Sequence, residues 1–178
     1  MSEIAVLGPG GVGGFIAGAL HRAGQPVTLI AREETAERLA HDGLAVESVR
    51  LGSFTARPPV VARLSGGGHT VIVATKAVGL ERALDRIDEE PDLVVPLLNG
   101  LDHMEMLRAR FGAARVAAGT IRIESDRPET GRIVQTSPFL HIDLAAEDVR
   151  VQAALPAVAH ALERAEIPVK IETSERQI

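Results

Sequence analysis

The sequence predicts an α/β fold built on a doubly wound, mainly parallel sheet with an antiparallel extension, and three observations carry that prediction. Short apolar runs alternate with segments of helical period, the pattern of parallel strands covered by helices. A glycine-rich turn joins the first apolar run to the first helix. Finally, 178 residues with 46% hydrophobic and 24% charged side chains can fill one core, yet leave no room for a second large lobe.

Taken in order, Ile4 to Leu7 reads as a buried strand. Gly11 to Ala23 fits a helix that Gly24 closes, at the position where a left-handed residue commonly ends one. Val27 to Ala31 is the second strand, and a helix from about Glu34 to His41 stops at Gly43. From Leu44 to Val61 the period shifts to two, broken by Leu51-Gly52-Ser53, which predicts a short antiparallel excursion. Val71 to Ala74 returns to a buried strand, followed by a helix from about Leu80 to Ile87 and a strand from Leu93 to Leu97. Met104 to Phe111 is helical with Gly112 behind it, and Val116 to Ile123 is extended. Ile133 to Leu144 reads as a hairpin turning at Pro138. Val149 to Ala165 forms the longest amphipathic helix, and Ile167 to Ile171 closes the set as an edge strand before the polar stretch Glu172 to Ile178.

Composition excludes several function classes. A net charge of -5 argues against a phosphate-driven nucleic-acid binder, while leaving a local basic pocket open. The absence of Cys removes disulfides, thiolate zinc sites and cysteine nucleophiles together. Four Phe, with no Trp or Tyr, offer no stacking platform for bases. Ile4 to Leu20 is not a targeting segment, because Glu3 precedes it and Pro9 and six glycines interrupt it. The later apolar runs are too short to span a bilayer, so a soluble cytoplasmic protein with no membrane partner is expected. The six histidines lack metal-ligand spacing, and no metal is expected.

The chemistry begins at Gly8-Pro9-Gly10-Gly11-Val12-Gly13-Gly14, which satisfies G-x-G-x-x-G between a strand and a helix. Such glycine turns also serve as plain helix caps. In this βαβ context the reading is a Rossmann-type dinucleotide site. Gly8 permits the tight turn, Gly10 lets backbone approach a diphosphate, and Gly13 allows close helix-to-strand packing. The helix start then attracts the anion through free amides and its dipole. At the end of the second strand, where NAD sites place an acid, this chain has Arg32. A guanidinium there takes a 2′-phosphate through charge-assisted bonds and favours NADPH, unless Arg32 simply pairs with Glu33 or Glu34. A slip of one position would instead put Glu33 where NAD needs a carboxylate. Lys76 and Asn99 follow the strands Val71 to Ala74 and Leu93 to Leu97, at the edge where open α/β sheets gather ligands. Singly, each is an ordinary surface lysine or turn asparagine; together they point to the crevice that holds the glycine loop.

Four segments carry a resemblance: Ile4-Ala5-Val6-Leu7-Gly8 with its loop, Thr28-Leu29-Ile30-Ala31-Arg32, Ala74-Thr75-Lys76, and Pro96-Leu97-Leu98-Asn99-Gly100. Together they resemble the amino-terminal domain of the ketopantoate reductases, the 2-dehydropantoate 2-reductases of pantothenate biosynthesis. The likeness runs from about Glu3 through Glu175, including Gly131-Arg132-Ile133-Val134 and Ala165-Glu166-Ile167-Pro168-Val169. It implies a NADP-binding domain over residues 1–172 and the start of a linker over 173–178. It further implies NADPH on Gly8 to Gly13, Arg32 toward the 2′-phosphate, Lys76 near the nicotinamide end, and Asn99 touching both cofactor and 2-keto acid substrate.

Two departures stand out. Glu124-Ser125 occupy the place of a Gly-Ala pair close to the cofactor, which puts Ser125 at the cofactor and brings a carboxylate toward an anionic substrate. The stretch from Leu64 to Thr70 is shorter and richer in glycine, a change of loop. In the family the proton-donating lysine lies in a helical carboxyl-terminal lobe, which would begin past Ile178. Lys170 falls on the preceding strand and does not match it. No catalytic residue is therefore assigned within this chain, and cofactor binding with little or no turnover is expected. An apolar face left by that lobe would favour a homo-oligomer. The rival class is a non-catalytic dinucleotide sensor. A nucleotide-dependent methyltransferase shares the loop, yet usually carries an acid where Arg32 stands.

Overall fold

A computed structural model describes residues 3–100 and 102–178. The chain runs β1 (Ile4–Leu7), α1 (Gly11–Arg22), β2 (Val27–Ile30), α2 (Glu33–Asp42), β3 (Leu44–Ser48), β4 (Gly52–Ala56), β5 (Val60–Val61) and β6 (Thr70–Val73). It continues through α3 (Leu80–Leu84), β7 (Leu93–Pro96), α4 (Asp102–Phe111), β8 (Ala118–Arg122), β9 (Ser125–Glu129), β10 (Arg132–Gln135), β11 (His141–Ala145), α5 (Val149–Arg164) and β12 (Val169–Ile171).

The central sheet is parallel, in the order β5-β2-β1-β6-β7. Every residue of β1, β2, β6 and β7 is buried, because helices cover both faces. Side chains alternate between two cores. On one face Ile4, Val6, Leu29, Ile72 and Val95 pack with Phe15, Ile16 and Leu20 of α1 and Leu155 and Leu162 of α5. On the other, Ala5, Leu7, Val71, Val73 and Val94 pack with Leu80, Leu84, Leu107 and Phe111 of α3 and α4. After β5 the chain returns to the opposite side of β1, so the strand order reverses between β1 and β6. That reversal opens a crevice at the carboxyl ends of these strands. A parallel bridge between Val94 and Val116 leads on to β8, which heads a three-stranded sheet in the order β12-β11-β8. Among the described residues no helix is long and apolar enough to cross a membrane.

Several sequence expectations need correction. The expected hairpin from Ile133 to Leu144 does not form. β10 pairs with β3 in parallel and with β9, whereas β11 pairs with β8 and β12. The crossing between the two sheets is held by a buried polar network rather than a turn. Gln135 Oε1 accepts from Ser48 Oγ at 2.6 Å, Gln135 Nε2 donates to the Ser137 carbonyl, and Ser137 Oγ donates to the Phe139 carbonyl at 2.7 Å. The helix expected to reach Ile87 stops at Leu84, since Leu64 and Ile87 leave their neighbours to form a parallel bridge inside the core. The antiparallel excursion is confined to β3 and β4. Val60 and Val61 instead join β2 as a parallel edge. β9, which the sequence left without an element, pairs antiparallel with β10.

Candidate dinucleotide-binding site

Gly8 leaves β1 with φ +103, a left-handed backbone that side chains rarely adopt, while its N–H donates to the Ile30 carbonyl at 3.0 Å. Gly13 faces back onto this turn. A Cβ there would overlap the Gly8 carbonyl oxygen, so only glycine lets α1 start so close to β1. Gly10 caps α1 with extended backbone and no side-chain bond, and a Cβ on it would meet nothing nearer than the Ala74 carbonyl oxygen at 4.0 Å. The amides of Gly10, Gly11, Val12 and Gly13 have no acceptor among the described residues, and α1 carries no acidic side chain in its first turn. Beside the loop, Thr75 Oγ1 is buried without a hydrogen-bond partner among the described residues. Open donors, a glycine cradle and the positive end of a twelve-residue helix fit a phosphorylated ligand.

The structure sets the other candidates along the same edge. Arg32 is exposed at the start of α2, two residues beyond β2, and pairs with neither Glu33 nor Glu34 among the described residues. Lys76 is exposed three residues beyond β6, at the head of a tight turn over Ala77–Gly79. Asn99 is exposed three residues beyond β7. Strand order puts Arg32 on one flank of the glycine loop and Lys76 and Asn99 on the other. Four residues after Asn99 in sequence, His103 of α4 is buried, and burial pushes its pKa below the usual histidine value, with Asp102 opposing the shift.

Sequence reasoning missed how β9 lies over the loop. Ser125 Oγ donates to the Gly11 carbonyl at 2.8 Å, and Arg127 Nη1 donates to the Pro9 carbonyl at 3.3 Å. A shallow cleft of about 520 Å³ opens beside this contact, lined by Glu124, Ser125, Asp126 and Thr136 among others. The polar run Glu124 to Glu129, with Pro128 inside it, carries no alternating apolar signal. Its place as the sheet's outer strand explains why Pro128 is tolerated.

Fold and loop together define the class, a Rossmann-type α/β domain. The family described as "Ketopantoate reductase PanE/ApbA" matches residues 4–146, and this chain belongs to that family. It is 35% identical over 136 residues to a protein of Bacillus subtilis named "Uncharacterized oxidoreductase YkpB", covering 74% of this chain and 45% of that one. It is 29% identical over 140 residues to a "2-dehydropantoate 2-reductase" of Caulobacter vibrioides, covering 76% of this chain and 46% of that one. A solved 2-dehydropantoate 2-reductase of Geobacter metallireducens superposes with a TM-score of 0.84 at 26% identity, over 96% of this chain and 57% of the other. The chain thus spans about half the length of these relatives.

Proposed function

We propose that this chain is the NADPH-binding domain of a cytoplasmic ketopantoate-reductase-like oxidoreductase, which reduces a 2-keto acid, ketopantoate in the reading closest to the family, to a 2-hydroxy acid. The observation that carries this reading is the loop from Gly8 to Gly13. Its amides, unpartnered among the described residues, open at the start of α1, on the edge where Arg32, Lys76 and Asn99 also emerge. The cofactor supplies the hydride when bound. The chain's own residues bind and orient: the amides of Gly10, Gly11 and Val12 hold the diphosphate, and Arg32 takes the 2′-phosphate. Lys76 offers positive charge toward the nicotinamide end and the substrate, and the Asn99 amide holds a ribose or substrate oxygen.

Ketone reduction also needs a proton at the substrate oxygen. Lys170 does not supply it. Its ammonium pairs with Glu172 at 2.5 Å, which raises its pKa and holds the proton more tightly. On this reading the proton donor belongs to the helical lobe that the family likeness implies. A sensor without chemistry would leave Lys76 and Asn99 without a task at this edge.

Calorimetric titration of the purified chain with NADPH and NADH tests the reading. One charge-assisted phosphate contact predicts tighter binding of NADPH by roughly one to two orders of magnitude. Equal affinities would remove Arg32 from the site, and binding of neither nucleotide would overturn the reading as a whole.

A further inference from the structure

We propose that Arg127 of β9 is a second cation of the cofactor site, one that serves the diphosphate bridge while Arg32 serves the 2′-phosphate. The inference rests on the cofactor reading above and begins with the contact between β9 and α1. A Cβ on Gly11 would overlap the Ser125 carbonyl oxygen, and would sit 2.6 Å from the Ser125 carbonyl carbon and 2.8 Å from the Asp126 nitrogen. Glycine at position 11 therefore lets β9 cross directly over the first turn of α1. The Ser125 hydroxyl, bonded to the Gly11 carbonyl, fixes that crossing.

Strand alternation places Ser125 and Arg127 on one face of β9, and both reach the loop. Arg127 touches it only through a long bond to a neutral acceptor, the Pro9 carbonyl at 3.3 Å. It is exposed and has no carboxylate partner among the described residues. Asp126, its neighbour, turns back to accept from the Arg127 amide at 2.7 Å. The guanidinium charge is thus uncommitted, and it stands at the mouth of a loop whose free amides form the anion cradle. Arg127 is the one cationic side chain within β9, and alternation turns Asp126 to the face away from the loop, so Arg127 is the charge that this strand presents there. A planar guanidinium can pass from a carbonyl to phosphate oxygens and make stronger, charge-assisted bonds there.

The test is calorimetric titration of the chain with NADPH, NADH and 2′-AMP. Arg127→Gln keeps a donor for Pro9 but loses the charge, and is expected to weaken NADPH and NADH by the same factor, about tenfold. The preference between the two should stay, and binding of 2′-AMP, which lacks the diphosphate, should not change. Arg127→Lys keeps the charge and should recover most of the affinity. Arg32→Gln gives the reverse pattern, a loss confined to NADPH and 2′-AMP. Wild-type affinity for both dinucleotides in Arg127→Gln overturns the proposal and leaves the cofactor reading standing. So does an Arg127→Lys chain as weak as Arg127→Gln, since Arg127 would then be a prop for Pro9. Failure of the wild-type chain to bind either dinucleotide would instead remove the reading beneath.

Discussion

At the scale of the residue, glycines at three loop positions differ in what they make possible. Gly8 is set by backbone angle, Gly13 by its approach to a carbonyl oxygen, and Gly11 by the strand above it. The first two demands are local to the β1–α1 turn, so the motif spacing exposes them. Gly11 answers to Ser125, far along the chain, and no spacing rule within the loop predicts that. His103 gives a titration with a definite sign. Its folded pKa lies below the ordinary histidine value of about 6.5, so the unfolded chain binds the proton more readily. Stability from this group is intact above that value and falls as pH drops below it. The slope approaches at most about 1.4 kcal/mol per pH unit. Urea unfolding between pH 7.5 and 5 should show that decline, and His103→Gln should flatten it. An unchanged slope would mean that His103 titrates alike in both states.

At the scale of the element, buried strands and long helices were legible because each declares itself through its own period. β1, β2, β6 and β7 are short apolar runs, and α5 is a sixteen-residue amphipathic segment capped by Asp148, whose carboxylate accepts from the Arg150 amide at 2.8 Å. β9 and the crossing after β10 were not legible. A polar edge strand has no period to read, and two strands separated by Pro138 look like a hairpin until each finds its partner in another sheet. The β9–α1 contact has a measurable cost when forced apart. Gly11→Ala pushes a methyl group into Ser125 backbone, which cannot rotate aside, and should destabilise the fold by about 1–3 kcal/mol in thermal or urea unfolding. Gly79→Ala, with no atom within 4 Å of the added methyl, should change stability by less than about 0.5 kcal/mol. Equal effects would show that β9 yields freely.

At the scale of the molecule, the last described turn is tied back to α4 and to the end of β11. Arg108 Nη2 of α4 donates to both Glu175 oxygens, at 2.6 and 2.7 Å, and the pair is partly buried. Ser174 and the Glu175 amide add bonds to the Glu147 carboxylate at 3.1 and 3.4 Å. Since α4 follows closely on Asn99, these bonds connect the segment after β12 to the helix that leaves the candidate site. Arg108→Ala should raise hydrogen exchange across Thr173 to Gln177 by about tenfold, with little change in the central sheet. Uniform acceleration would instead mark the pair as part of global stability.

The sequence by itself determined the parallel α/β sheet, the glycine turn and the edge that gathers Arg32, Lys76 and Asn99. Each depends on a few neighbouring residues and on the rule that parallel strands end together. Tertiary structure alone decided that a polar strand would lie over the loop and bring Arg127 to Pro9. That contact joins positions 118 residues apart, and it depends on how the central sheet and the sheet of β4, β3, β10 and β9 close around α1.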